Sequence, residues 1–110
     1  MKHLLFDLID CPPDLLDNED FVRLSAWNAA KESKSELINI SCHKFKPQGV
    51  TALAMLAESH LSIHTWPEKR VAKCDIFTCG EKCDPHKAVE YLGNAFKASK
   101  IETDAFDRLL

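Results

Sequence analysis

Between Glu36 and Cys79 the chain passes through four strand-length segments, and the breaks between them are too short to hold a helix. Glu36–Phe45 alternates, with Leu37, Asn39, Ser41 and His43 set against Ile38, Ile40 and Cys42. Val50–Ala57 is a continuous apolar run of the length expected for a buried strand. His60–Trp66 places His60, Ser62, His64 and Trp66 on one face and Leu61, Ile63 and Thr65 on the other. Val71–Cys79 follows as a fourth strand. Parallel neighbours need a crossover of about a dozen residues. Turns such as "KPQG" leave room only for antiparallel pairing.

The flanks complete the pattern. "HLLFDLID" reads as a strand and "CPPD" as a break. Residues 18–32 open with a polar cap and early acids, and Phe21, Leu24 and Trp27 recur at near-helical spacing. Asp84–Ser99 is a second helix, capped by Asp84 with Pro85 in the first turn. Its stripe is Ala88, Tyr91, Leu92, Ala95 and Phe96. "KIETDAF" closes the chain as a last strand before a frayed end. The order β-α-β-β-β-β-α-β predicts an α+β two-layer sandwich, an antiparallel sheet with two helices on one face. The whole of 1–110 reads as a single domain.

Charge and cysteine count then narrow the function classes. A net charge of −3 argues against non-specific nucleic-acid binding, which needs a basic surface. No apolar run approaches a membrane span, and Asp7 and Asp10 interrupt the apolar start, so neither a membrane anchor nor a signal peptide is expected. Five cysteines cannot all pair within one chain, and the compartment expected is the reducing cytoplasm.

The reactive side chains admit several readings. Cys74, Cys79, Cys83 and His86 are four soft ligands, but their spacing fits no common zinc pattern, and no metal is expected. Cys79 stands apart because it ends a strand beside Gly80, where a turn can leave the thiol facing a cleft. His60 and His64 share a face without an evident third ligand, and a strand histidine can equally act as a general base. Ser59 lacks the Gly-x-Ser-x-Gly elbow of a hydrolase.

Taken together, "ESHLSIHTWPE" at Glu58–Glu68 and the "TCG" that follows resemble the signature of prokaryotic S-adenosylmethionine decarboxylases. "HKFKPQGVTA" resembles the segment ahead of that family's cleavage site, and "DPHKAVEYLGNAFKA" its C-terminal helix. The resemblance covers nearly the whole chain.

It implies self-cleavage between Glu58 and Ser59. The Ser59 hydroxyl attacks the preceding carbonyl and the peptide becomes an ester. Elimination leaves dehydroalanine, which hydrolyses to a pyruvoyl group and ammonia. The products are a β chain, 1–58, and an α chain, 59–110, that carries this covalent cofactor. His64 matches the histidine that takes the serine α-proton. Thr51 stands where the family commonly has a serine that supports processing. The pyruvoyl ketone forms a Schiff base with substrate and serves as the electron sink for decarboxylation. Cys79 matches the proton donor to Cα. Glu68 matches the acid that binds the ribose hydroxyls, and Phe45 the aromatic that stacks on adenine. Trp66 is assigned to packing. The implied partners are S-adenosylmethionine and a second cleaved protomer in a homodimer.

Where the family often reads x-Gly-Tyr/Phe-Ala after Trp-Pro-Glu, this chain reads "KRVAK" at Lys69–Lys73. Pyruvoyl-dependent ornithine or arginine decarboxylases on the same fold are the alternative. Glu68 and Phe45 favour the nucleoside substrate. A non-processing regulatory homologue would need none of Glu58, Ser59, His64 and Cys79.

Overall fold

The computed structural model describes residues 1–79 and 81–109; the turn expected at Gly80 and the terminal Leu110 lie outside the described residues. The strands are β1 (Lys2–Ile9), β2 (Glu36–Lys44), β3 (Val50–Ala57), β4 (Ser59–Trp66), β5 (Val71–Thr78) and β6 (Lys100–Asp107). They form one sheet in the order β2-β3-β4-β5-β1-β6, with antiparallel neighbours throughout. The helices α1 (Pro13–Leu16), α2 (Glu19–Glu32) and α3 (Pro85–Ala95) cover one face. The two-layer α+β sandwich expected from the sequence is the fold observed. The break read at "CPPD" holds the short helix α1, which Pro13 can start because a first-turn residue needs no N–H partner. First and last strands are brought together in an unusual way: β1 inserts between β5 and β6.

Local chemistry fixes the helix starts. Asn18 accepts a hydrogen bond from Phe21 N at 3.0 Å, with Glu19 and Asp20 in the first turn of α2. Asp84 accepts from His86 N at 3.2 Å at the start of α3. The core lies between the helices and the inner sheet face, with Leu4, Phe6, Leu8, Leu61, Ile63 and Ile76 fully buried from the strands. On the inner side of β6, Ile101 lies so close to α3 that a Cβ on Gly93 would collide with it.

The buried face of α2 differs from the expected one. Val22, Ser25, Ala26, Ala29 and Ala30 face the sheet, while Leu24 and Trp27 are 56% and 49% exposed. The small side chains let the helix backbone approach the sheet, and this outweighs the larger apolar groups one face over. A bulge between Leu37 and Asn39 likewise shifts the phase of β2, so Leu37, Ile40 and Cys42 pack inward and Ile38 turns out. Nor is β3 buried on both sides. Val50, Ala52, Ala54 and Leu56 are core, whereas Leu53 and Met55 are half exposed on the outer face. That outer face is left uncovered by the helices.

Candidate active site

One end of the outer face is built around the β3–β4 ladder. Thr51 pairs with His64, and Thr51 Oγ1 lies 3.0 Å from His64 Nδ1. Beside them opens a cleft of about 350 Å³ lined by Phe45, Gln48, Thr51, His64, Trp66 and Glu68. Phe45 is 45% exposed, so it is not a core residue, and it meets the His43 ring edge-on at 4.6 Å. Trp66, assigned to packing from the sequence, is 41% exposed and lines the cleft. Period two carries the signal for it, since Trp66 shares a face with His64.

Buried and charged anchors hold the cleft. Thr65 Oγ1 donates to Leu16 O at 2.7 Å and accepts from Val50 N at 2.8 Å, tying β4 to α1 and β3. Gly49 has φ of 104°, a conformation that side chains disfavour, and a Cβ there would meet Thr65 O at 3.1 Å. Gly49 N donates to Asp17 Oδ1 at 2.8 Å, and Lys44 Nζ lies 2.9 Å from the same oxygen. The Gly49 hydrogen bond, and then that from Lys44, hold the Asp17 carboxyl below its usual range.

The opposite end of the sheet holds the expected cleavage point. β3 ends at Ala57 and β4 begins at Ser59, so only Ala57 and Glu58 separate the closing Leu56–Ser59 pair. Ser59 has φ of 107°, a strained value for a residue with a side chain. Ser59 also pairs with Thr78, the residue before Cys79. Cys79 lines a second cleft of about 380 Å³ with Lys2, Thr78 and Cys83.

The expected site residues thus fall into two groups. Phe45, Thr51, His64 and Glu68 gather at one end, and Glu58, Ser59 and Cys79 at the other. Along β4, five residues at about 3.4 Å each separate His64 from Ser59 by about 17 Å. The other thiols are placed differently. All five cysteines are free. Cys74 is buried in the core, where burial, then the negative charge of Asp7, push its thiol well above the usual value. Cys83 Sγ lies 3.7 Å from Ser35 Oγ and 3.6 Å from Lys34 O. Sequence reasoning also missed a polar cluster on the outer face, in which His3 and His60 both reach Asp75.

The profile of the family described as S-adenosylmethionine decarboxylase matches residues 2–109. This chain belongs to that family. It is 50% identical over 107 residues to the S-adenosylmethionine decarboxylase proenzyme of Synechococcus sp. (strain WH7803), spanning 97% of this chain and 84% of the relative. The proenzyme of Methanococcus aeolicus is 46% identical over 101 residues, spanning 92% of this chain and 86% of that protein. The crystal structure of the adenosylmethionine decarboxylase from Aquifex aeolicus VF5 superposes with a TM-score of 0.90 at 32% identity, covering 99% of this chain and 90% of that one. Glu58, Ser59, His64, Glu68 and Cys79 all lie within the matched span.

Proposed function

We propose that this chain decarboxylates S-adenosylmethionine after cutting itself between Glu58 and Ser59. The observation that carries the first half is Ser59 itself: a nucleophilic side chain in a strained conformation at the closure of a two-residue hairpin. Attack by its hydroxyl on the Glu58 carbonyl breaks the peptide link and relieves that strain. When formed from Ser59, the pyruvoyl ketone supplies the electron sink for loss of CO₂. Cys79, the residue after Ser59's strand partner Thr78, is the thiol that returns a proton to the substrate carbon.

The separation of the two groups implies a second copy. His64 cannot take a proton from Ser59 across about 17 Å of its own strand. Two chains stacked by their outer faces, with opposite ends together, bring one chain's Ser59 and Cys79 to the other's Thr51, His64, Phe45 and Glu68. Two-fold symmetry makes that contact twice. The uncovered face supports this, because Leu5, Leu53, Met55 and Phe106 are exposed on it. Each is about half exposed, so covering it gains roughly half of the ~1.5–3 kcal/mol of full burial. In the cleft, Phe45 and Trp66 offer aromatic surfaces to the adenine and the sulfonium cation. Glu68 accepts from the ribose hydroxyls.

The test is the mass of the purified protein together with release of labelled CO₂ from S-adenosylmethionine. Two fragments, 1–58 and a blocked 59–110, are expected, with turnover. Ser59→Ala stays whole and inert. A wild-type chain that remains intact on long incubation overturns the proposal.

A further inference from the structure

The polar cluster on the outer face lies beside Ser59 but belongs to none of the roles above. Asp75 Oδ2 is 2.8 Å from His3 Nε2 and 2.7 Å from His60 Nε2, and Ser62 Oγ donates to Asp75 Oδ1. The four groups come from three adjacent strands, β1, β4 and β5. Phe77 flanks both imidazoles, with ring centroids 4.7 Å from His3 and 6.1 Å from His60, and the imidazoles are 6.0 Å apart. His3 and Asp75 are largely shielded, with side chains 18% and 19% exposed.

Proton positions follow from the partners. Arg108 Nη1 lies 3.4 Å from His3 Nδ1, and arginine can only donate. That leaves His3 Nε2 to donate to Asp75. An ionised carboxylate can only accept, so His60 Nε2 also carries a proton. Two imidazoles and a carboxylate are a donor set that can hold a divalent transition metal. Here both Nε2 atoms lie within hydrogen-bond distance of the same Asp75 oxygen, so that oxygen is already shared between the two rings. The cluster is hydrogen-bonded.

Its place relative to the cut gives it a task. Before cleavage, Ser59 is held by covalent continuity through the hairpin. Afterwards it is a chain end, and chain ends fray unless something ties them down. His60 is the next residue, and its side chain is bonded to the middle of a neighbouring strand. Asp75 in turn is held by Ser62 on β4 and by His3 on the other fragment. We propose that His60 and Asp75 are positioning residues that keep the new chain end, and the carbonyl it carries, aligned for the reaction. This rests on the self-cleavage reading of the preceding section.

The experiment compares His60→Leu, His60→Gln and Asp75→Ala in the matured protein and in an uncut Ser59→Ala background. Amide hydrogen exchange over residues 60–62 and steady-state kinetics are measured. His60→Leu and Asp75→Ala should speed exchange in the cut protein and leave it unchanged in the uncut one. Their kcat should fall about 10- to 100-fold, the scale for a misplacement of about 1 Å. KM should move much less, because His60 and Asp75 bond to none of Phe45, Trp66 and Glu68. His60→Gln keeps an N–H donor at similar reach and should recover most of the loss. Asp75→Ala leaves the residues flanking the cut intact, and decides the matter if His60→Leu matures poorly. Equal exchange in cut and uncut forms, or wild-type kcat in both variants, overturns the proposal. So does one equivalent of zinc bound by the wild type and lost in His60→Leu. Failure of the wild type to cut strikes the cleavage reading instead.

Discussion

Thr51 and His64 face each other across the β3–β4 ladder, the hydroxyl oxygen 3.0 Å from Nδ1 of the ring. The contact fixes the imidazole on the outer face and occupies one of its nitrogens. Under the proposed mechanism, proton exchange with a reacting group then falls to Nε2. Threonine supplies the hydroxyl of this contact from a half-buried position.

Complementation between chains tests the shared site. Ser59→Ala and His64→Ala should each be uncut when made alone. Made together, the His64→Ala chain should be cleaved by its partner's histidine, and decarboxylation should return in part. Mass spectrometry identifies which chain is cut. Cleavage of the His64→Ala chain by itself, or a mixture that stays whole, would show that the two groups do not meet across an interface.

Glu68 distinguishes the nucleoside substrate from simple cationic amino acids, because only the nucleoside brings a ribose diol. A hydrogen bond to a charged group contributes about 1.5–3 kcal/mol. Glu68→Gln should therefore lower kcat/KM for S-adenosylmethionine about 10- to 150-fold and leave self-cleavage largely intact. Labelled CO₂ release from S-adenosylmethionine, ornithine and arginine at equal concentration reads the outcome. Preference for either amino acid would reassign the substrate while retaining the cleavage chemistry.

Asp17 gives a pH signature. Its folded-state pKa is lowered, by the Gly49 N–H first and Lys44 second. Such a group adds stability that is fully present above its unfolded value of about 3.9 and is lost as pH falls through the lower folded value. In the uncut Ser59→Ala protein, Asp17→Asn should lower the thermal midpoint at neutral pH. The gap to the parent should close at pH below about 4. A gap that stays constant with pH would mean the carboxylate charge contributes nothing.

The fold was legible because four strands with short breaks leave antiparallel pairing as the only economical arrangement. The inner and outer faces of β4 were legible for the same reason, since Leu61, Ile63 and Thr65 alternate with His60, Ser62 and His64. What failed was the choice among apolar residues. Leu24 and Trp27 looked like a helix stripe, but alanines one face over pack closer. The bulge at Ile38 has no turn residue to announce it. Trp66 was left outside the site because tryptophan usually packs, and on the uncovered outer face it is half exposed and lines a cleft. The His3–Asp75–His60 cluster joins residues 72 positions apart, which local spacing does not reveal.

The insertion of β1 between β5 and β6 has a consequence for the life of the molecule. The 1–58 portion contributes β1, β2 and β3, and the remainder contributes β4, β5 and β6. A cut at Ser59 therefore leaves two polypeptides interdigitated within one sheet. Neither can leave without breaking both ladders of β1 and the one joining β3 to β4. The precursor folds as a unimolecular process, but denatured fragments must find each other, so recovery becomes concentration-dependent. Maturation makes the protein a thing assembled once, whose persistence is set by how slowly it opens rather than by how readily it reforms.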